Sequence, residues 1–308
     1  MNKTDKICVV GANGLLGHAV VTELIERGYT NILKADRDTI DFRDQKATRE
    51  YFETEKPAGV FFLAAVAAGI SFKKSHPAEM LLDNLQMVTN VLSSAHKIGV
   101  RKLINICSAL IYPSSASIPL KEEDAVSVDL GNIDTPYALA KSAGVKLAQY
   151  FRHEYGDQFI SAVPCNFFGE YAPFEGERAG VVPSLISRIH KAKEENAPQV
   201  EVWGTGNACR ELLNSKDVAS ACVVLLENDV KFDFVNIGRG KEFTMREVAE
   251  TVKRVVGYEG ELFFDATKPE GRLHMQLNVD KLFSMGWKPT LDLEDSIRDA
   301  YEWYRLNK

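Results

Sequence analysis

Three residues have types and spacing suited to proton and hydride chemistry: Ser108, Tyr137 and Lys141. Tyr137 and Lys141 are four positions apart in a helical stretch, so phenol and ammonium share one helix face. A free tyrosine titrates near about pH 10, and a neighbouring cation is expected to favour the phenolate and ease proton exchange near neutrality. A Tyr-x-x-x-Lys pair arises by chance in many chains. Ser108 adds weight because it directly follows the apolar run Lys102–Cys107, and open α/β sheets bind ligands outside the carboxyl ends of their strands. A serine hydroxyl there can hydrogen-bond a carbonyl oxygen while a tyrosine protonates it.

A glycine turn supplies the cofactor half of the argument. Gly11-Ala12-Asn13-Gly14-Leu15-Leu16-Gly17 follows the β-rich run at 6–10 and opens a helical pattern from Leu15 to Arg27. Strand, glycine turn and helix in that order place backbone N–H groups and a positive helix end where a pyrophosphate can bind. Gly11, Asn13, Gly14, Leu15 and Gly17 are therefore candidate cofactor residues, with Ala64, at the end of the apolar run Gly59–Ala65, completing the set. About 20 residues past the turn, Asp36 is placed to take ribose hydroxyls, which favours NAD. Its neighbours Arg37 and Lys34 are placed to take a 2′-phosphate, which favours NADP. Together with the serine, tyrosine and lysine, the turn makes hydride transfer to or from a small carbonyl compound the leading reading.

These residues require a scaffold of alternating strands and helices. Apolar runs recur at 31–35, 59–65, 102–107 and 159–164, separated by helical segments at 45–55, 78–98 and 137–155. That alternation implies βαβ units, an α/β fold of Rossmann type with a doubly wound parallel sheet over residues 1–165. After about Asn166 the alternation breaks down, and residues 166–308 read as a smaller mixed α/β substrate lobe. Parts of about 215–240, at 220–226 and 235–238, are expected to return to the first sheet. YAPFEGERAG at 171–180 reads as a surface loop, and Thr244-x-x-Glu247 spells a capping box.

With 308 residues, 45% hydrophobic and 26% charged, the chain has the balance of a globular protein of one large or two modest domains. Its longest weakly polar stretch, 59–70, is short of the roughly 20 residues of a membrane helix. The N-terminus lacks a secretory h-region, so a cytoplasmic location is expected. Five scattered cysteines show neither a disulfide framework nor metal-ligand spacing, so no metal is expected. A net charge of −6 without long basic runs disfavours nucleic acid and membrane surfaces as partners.

The triad, the glycine turn and the segments AHKIGVRKLI, IYP at 111–113, NIDTPYALAKSAGVKL, NAPQVEVWGTG and FDATKPEG resemble the extended short-chain dehydrogenase/reductase superfamily. Within it they look most like the GDP-L-fucose synthase family of epimerase/reductases. The resemblance implies NADP(H) as cofactor, with NAD(H) the alternative, a GDP-linked 4-keto sugar as substrate, and a homodimer. It also implies Ser108, Tyr137 and Lys141 as the reductase triad, with Lys141 reaching the nicotinamide ribose as well. Asn166 would lie beside the sugar, and Arg188, Trp203 and Arg210 would belong to the nucleotide-sugar pocket. Where the family has a basic pair this chain has His274 and Met275, so Arg272 is expected to take over a phosphate contact.

Two departures bear on the reaction. The family's epimerase half uses a cysteine two positions after the serine and a histidine before a V-[VI]-P helix start. Here those positions are Leu110 and Gly180, neither able to carry a proton. Since such groups contribute roughly 10²–10⁴-fold each, a C4 reductase without C3/C5 epimerisation is expected, on a 6-deoxyhexose or a heptose. The bifunctional enzyme and an NAD-dependent C4 epimerase are the alternatives. A 4,6-dehydratase is disfavoured because Ala109-Leu110 replaces its acidic pair, and a non-catalytic scaffold because the triad is complete.

Overall fold

The computed structural model describes residues 1–66, 75–125, 135–268 and 270–308. Residues 67–70 of the apolar stretch, 132–134 of the segment before Tyr137, and Pro269 lie outside the described residues. The chain runs β1 (Ile7–Val10), α1 (Leu15–Glu26), β2 (Ile32–Ala35), α2 (Gln45–Glu55), β3 (Gly59–Phe62), α3 (Pro77–Lys97), β4 (Lys102–Ile106), α4 (Thr135–Tyr155) and β5 (Phe159–Pro164). It continues through β6 (Asn166–Phe168), α5 (Val181–Glu194), β7 (Gln199–Trp203), β8 (Cys209–Asn214), α6 (Ser215–Glu227), β9 (Phe234–Ile237) and β10 (Glu242–Thr244). It ends with α7 (Met245–Val256), β11 (Glu261–Asp265), α8 (Asp280–Ser284) and α9 (Leu293–Asn307).

Six strands form one parallel sheet in the order β2-β1-β3-β4-β5-β9, a Rossmann-like α/β fold. Every residue of β1, β3, β5 and β9 is buried, as expected for parallel strands covered by helices on both faces. One face packs on α1 and α6, the other on α2, α3 and α4. Strand order reverses between β1 and β3, and the crevice beyond the carboxyl ends of these strands is where such sheets bind ligands.

The remaining strands make a three-stranded sheet, β10-β8-β6, and a two-stranded one, β11-β7. A separate apolar core beneath them takes residues from α5, α7 and α9. The expected capping box is present: Glu247 N donates to the Thr244 hydroxyl at 3.1 Å, and Thr244 N to the Glu247 carboxylate at 2.7 Å.

Residues 235–237 do return to the large sheet, within β9, but 220–226 lie inside α6, packed on α1. A short run that is apolar apart from Ser220 fits a buried helix face as well as a buried strand, and periodicity does not separate the two. The 171–180 segment is also more than a surface loop: Ala172 and Phe174 are buried in the second core, and Tyr171 stacks on His18 of α1 at 3.7 Å between ring centroids.

Candidate active site

The first turn of α1 is shaped by glycines. Gly11 has φ of +87° in the left-handed region, donates its N–H to Ala35 O at 2.7 Å, and leaves only 3.0 Å between an added Cβ and Ala64 N. At Gly17 an added Cβ would lie 2.1 Å from Gly11 O and 2.6 Å from the Ala12 carbonyl carbon, so only glycine lets the helix pack on the turn. Gly14 is the N-cap, no side chain among the described residues caps that end, and the first turn contains no acid. The α1 N-terminus thus keeps N–H groups available for an anion.

That turn forms one end of a cleft of about 700 Å³. Gly11, Gly14, Leu15 and Gly17 line it, together with Ser108, Tyr137 and Lys141. Asn13 is exposed beside the turn, and Ala64 packs against Gly11; both are outside the cleft lining, as are Asp36 and Arg37. Asp36 uses one carboxylate oxygen to accept Asp38 N at 3.0 Å, whereas Arg37 is exposed. A residue that spacing does not reveal is Asn84 on α3. Its amide accepts Val66 N at 2.9 Å and donates to Val66 O at 3.1 Å, bracing the chain that leaves β3 at the cleft.

Ser108 follows β4 and caps the short 109–111 turn, its hydroxyl accepting Leu110 N at 3.3 Å. Lys141 is only 7% exposed; its ammonium donates to Ile106 O at 2.8 Å and lies 5.7 Å from the Tyr137 ring centroid. Burial pulls Lys141 down to about 8, against a small opposing pull from Cys107. Tyr137 differs from the sequence expectation: burial, reinforced by Cys107, pushes its phenol up rather than down. The lysine proton goes to a backbone carbonyl, and at this separation the cation does not offset desolvation. A phenol held protonated is in the state required to give a proton to a carbonyl oxygen.

Leu110 and Gly180 both stand in the wall of this cleft. Gly180 is the N-cap of α5 with φ of −70°, and among the described residues an added Cβ would meet nothing closer than Pro183 Cδ at 3.6 Å. The position therefore has room for a side chain. Cys107 and Cys165 also line the cleft, but burial raises both thiols, Cys107 to about 11 and Cys165 well above its ordinary value.

At the other end of the cleft stand Asn166, Arg210 and Arg272. Arg210 donates to the carbonyls of Cys209 and Arg272, both at 2.6 Å, and Arg272 donates to Tyr112 O at 3.3 Å. Burial lowers the Arg210 pKa; Glu242, Cys209 and Glu270 oppose the shift, and repulsion from the Arg272 charge adds a smaller lowering. A diphosphate would relieve that repulsion. Arg188 and Trp203 lie outside the cleft lining, on the surface of α5 and β7. The Arg188 guanidinium donates to Glu201 O at 2.8 Å, and Trp203 is 57% exposed.

Residues 7–238 match the NAD dependent epimerase/dehydratase family. The chain is 41% identical to GDP-L-fucose synthase 1 of Arabidopsis thaliana, covering 99% of this chain and 95% of that protein. It is 33% identical to GDP-L-fucose synthase of Escherichia coli over 99% and 98% of the two chains. Among solved structures, a GDP-mannoheptose C4 reductase from Campylobacter jejuni with NADP bound superposes with a TM-score of 0.89 at 32% identity, covering 99% of each chain. The chain belongs to the NAD dependent epimerase/dehydratase family, close to GDP-L-fucose synthases and GDP-heptose reductases.

Proposed function

We propose that this protein uses NADPH to reduce the C4 carbonyl of a GDP-linked 4-keto sugar, a 6-deoxyhexose or a heptose, without inverting C3 or C5. Its similarity to GDP-sugar synthases and reductases makes it an NADP-dependent oxidoreductase of GDP-sugar synthesis. The reductase-only reading rests on one observation: Leu110 and Gly180 occupy the wall of the same cleft as Ser108, Tyr137 and Lys141.

The turn at Gly11–Gly17 fits a dinucleotide, since the helix end has no side-chain cap among the described residues and glycines at 11 and 17 let the turn pack tightly on Ala64 and on the helix, keeping the backbone N–H groups open to a pyrophosphate. NADPH, when bound, supplies the hydride for C4. Asn13, Leu15 and Ala64 border the cofactor, the exposed Arg37 takes the 2′-phosphate, and Asp36 is left the free 3′-hydroxyl of the same ribose. Ser108 donates a hydrogen bond to the sugar carbonyl, Tyr137 delivers the proton to its oxygen, and Lys141 holds the nicotinamide ribose. Arg210 and Arg272 neutralise the diphosphate, Asn166 touches the sugar, and Arg188 and Trp203 meet the part of the nucleotide that emerges from the cleft. A homodimer is part of the same proposal, to be checked by light scattering.

Similarity to GDP-L-fucose synthases favours a second reading, the bifunctional epimerase/reductase. It would need a proton carrier other than Leu110 and Gly180, and the nearby Cys107 and Cys165 thiols are held protonated by burial. Incubation with NADPH and a panel of GDP-, CDP- and dTDP-4-keto sugars, followed by NMR of the products, separates these readings. The expected result is NADPH consumption with GDP-sugars and a product changed at C4 alone. Inversion at C3 or C5, or turnover without net NADPH loss, would overturn the proposal.

A further inference from the structure

Behind the arginine end of the cleft, three segments bring together Cys209, Glu242 and His274, which the reduction does not use. In the antiparallel pair of β8 and β10, Glu242 faces Glu211 and Thr244 faces Cys209. Alternation along each strand therefore places Cys209 and Glu242 on one face of the pair and Arg210 on the other, toward the cleft. Residues 273–275 run alongside: Cys209 N donates to Leu273 O at 2.7 Å, Met275 N donates to one Glu242 oxygen at 2.6 Å, and His274 Nδ1 lies 2.9 Å from the other. The Cys209 sulfur, a Glu242 oxygen and a His274 ring nitrogen all fall within 4.8 Å of one another. The other four cysteines are buried; Cys209 is the partly exposed one.

We propose that Cys209, Glu242 and His274 form a binding site for a thiophilic divalent cation of the zinc class, with water as the fourth ligand. Sulfur, imidazole nitrogen and carboxylate oxygen together are zinc's ligand set, whereas magnesium and calcium select oxygen alone. Bond lengths of about 2.0–2.3 Å in a tetrahedron put ligand atoms roughly 3.3–3.6 Å apart. The nitrogen and oxygen, 2.9 Å apart as hydrogen-bond partners, must part by about 0.4 Å to admit the ion, and the thiol, within 4.8 Å of both, must close on them, within reach of a rotamer adjustment at a partly exposed residue. Binding replaces the thiol proton with the metal and releases that proton to solvent. Glu242 would serve twice, ligating through one oxygen while holding Met275 N with the other. A bound ion would thus fasten the segment that carries Arg272 and Met275 in the cleft wall.

The test is a cobalt titration of the reduced, chelator-stripped full-length protein, read by absorbance. Wild type is expected to bind one Co²⁺ per chain with a near-ultraviolet thiolate-to-cobalt charge-transfer band that Zn²⁺ abolishes. Cys209→Ser should lose the band, and His274→Ala should weaken binding by about tenfold or more. Circular dichroism and NADPH binding verify that both variants fold. Absence of the band in wild type, or its persistence in folded Cys209→Ser, would overturn the site.

Discussion

Replacing Lys141 by methionine is expected to make the nucleotide-free protein more stable and to remove its activity. The buried ammonium titrates at about 8 instead of 10.5, and the largest cause is desolvation. At ~1.4 kcal/mol per tenfold, holding the charged form at pH 7 costs roughly 3 kcal/mol relative to an unperturbed lysine. Methionine fills a similar volume without charge but gives up the bond to Ile106 O, so a net gain of about 1–3 kcal/mol is expected at pH 7. The pH dependence separates this cause from improved packing. Because the folded-state value lies below that of the unfolded chain, the unfolded chain binds the extra proton between about pH 8 and 10.5, and wild-type stability on this count rises across that window. Urea unfolding of both proteins at pH 7 and at pH 10 should show the advantage of Lys141→Met largely vanishing at the higher pH. A variant less stable than wild type at pH 7, or an advantage that does not change with pH, would refute the reasoning.

Three other outcomes are expected from the same geometry. Tyr137→Phe should lose most NADPH turnover while keeping NADPH affinity close to wild type by calorimetry, since the phenol gives a proton and the pyrophosphate is held elsewhere. Gly17→Ala forces a Cβ to 2.1 Å from Gly11 O, an overpacking of about 1–3 kcal/mol or more, so both the melting temperature and NADPH affinity should fall. Arg37→Ala should weaken NADPH by roughly 1.5–3 kcal/mol and leave NADH nearly unaffected, and equal losses for the two cofactors would place the 2′-phosphate elsewhere.

The sequence was most legible where chemistry is local. Residues 45–55 read as a helix and are one, the Thr244/Glu247 capping box forms, and strand, glycine turn and helix follow in the expected order, because each depends on residues within a few positions. What escaped depends on the third dimension. Residues 220–226 are helical because α1 offers them a partner, and Phe174 makes a core contact from within a polar loop. Tyr137 was expected to be acidified by Lys141, and burial, which spacing does not report, prevails instead. Arg188 and Trp203 sit outside the cleft lining although Arg210 stands within it. Cys209, Glu242 and His274 have no ligand spacing in the chain, since three separate segments bring them together.

The central claim, reduction without epimerisation, is tested most directly by hydrogen exchange. A GDP-4-keto-6-deoxy sugar is incubated with the protein in D₂O without NADPH, and deuterium at C3 and C5 is followed by NMR. A base and an acid in the cleft would exchange those protons whether or not reduction follows. With Leu110 and Gly180 at the two positions, incorporation is expected to be no faster than in a protein-free control, while adding NADPH gives prompt reduction at C4. Rapid deuterium entry at either carbon would contradict the claim and direct attention to Cys107, Cys165 and Glu177.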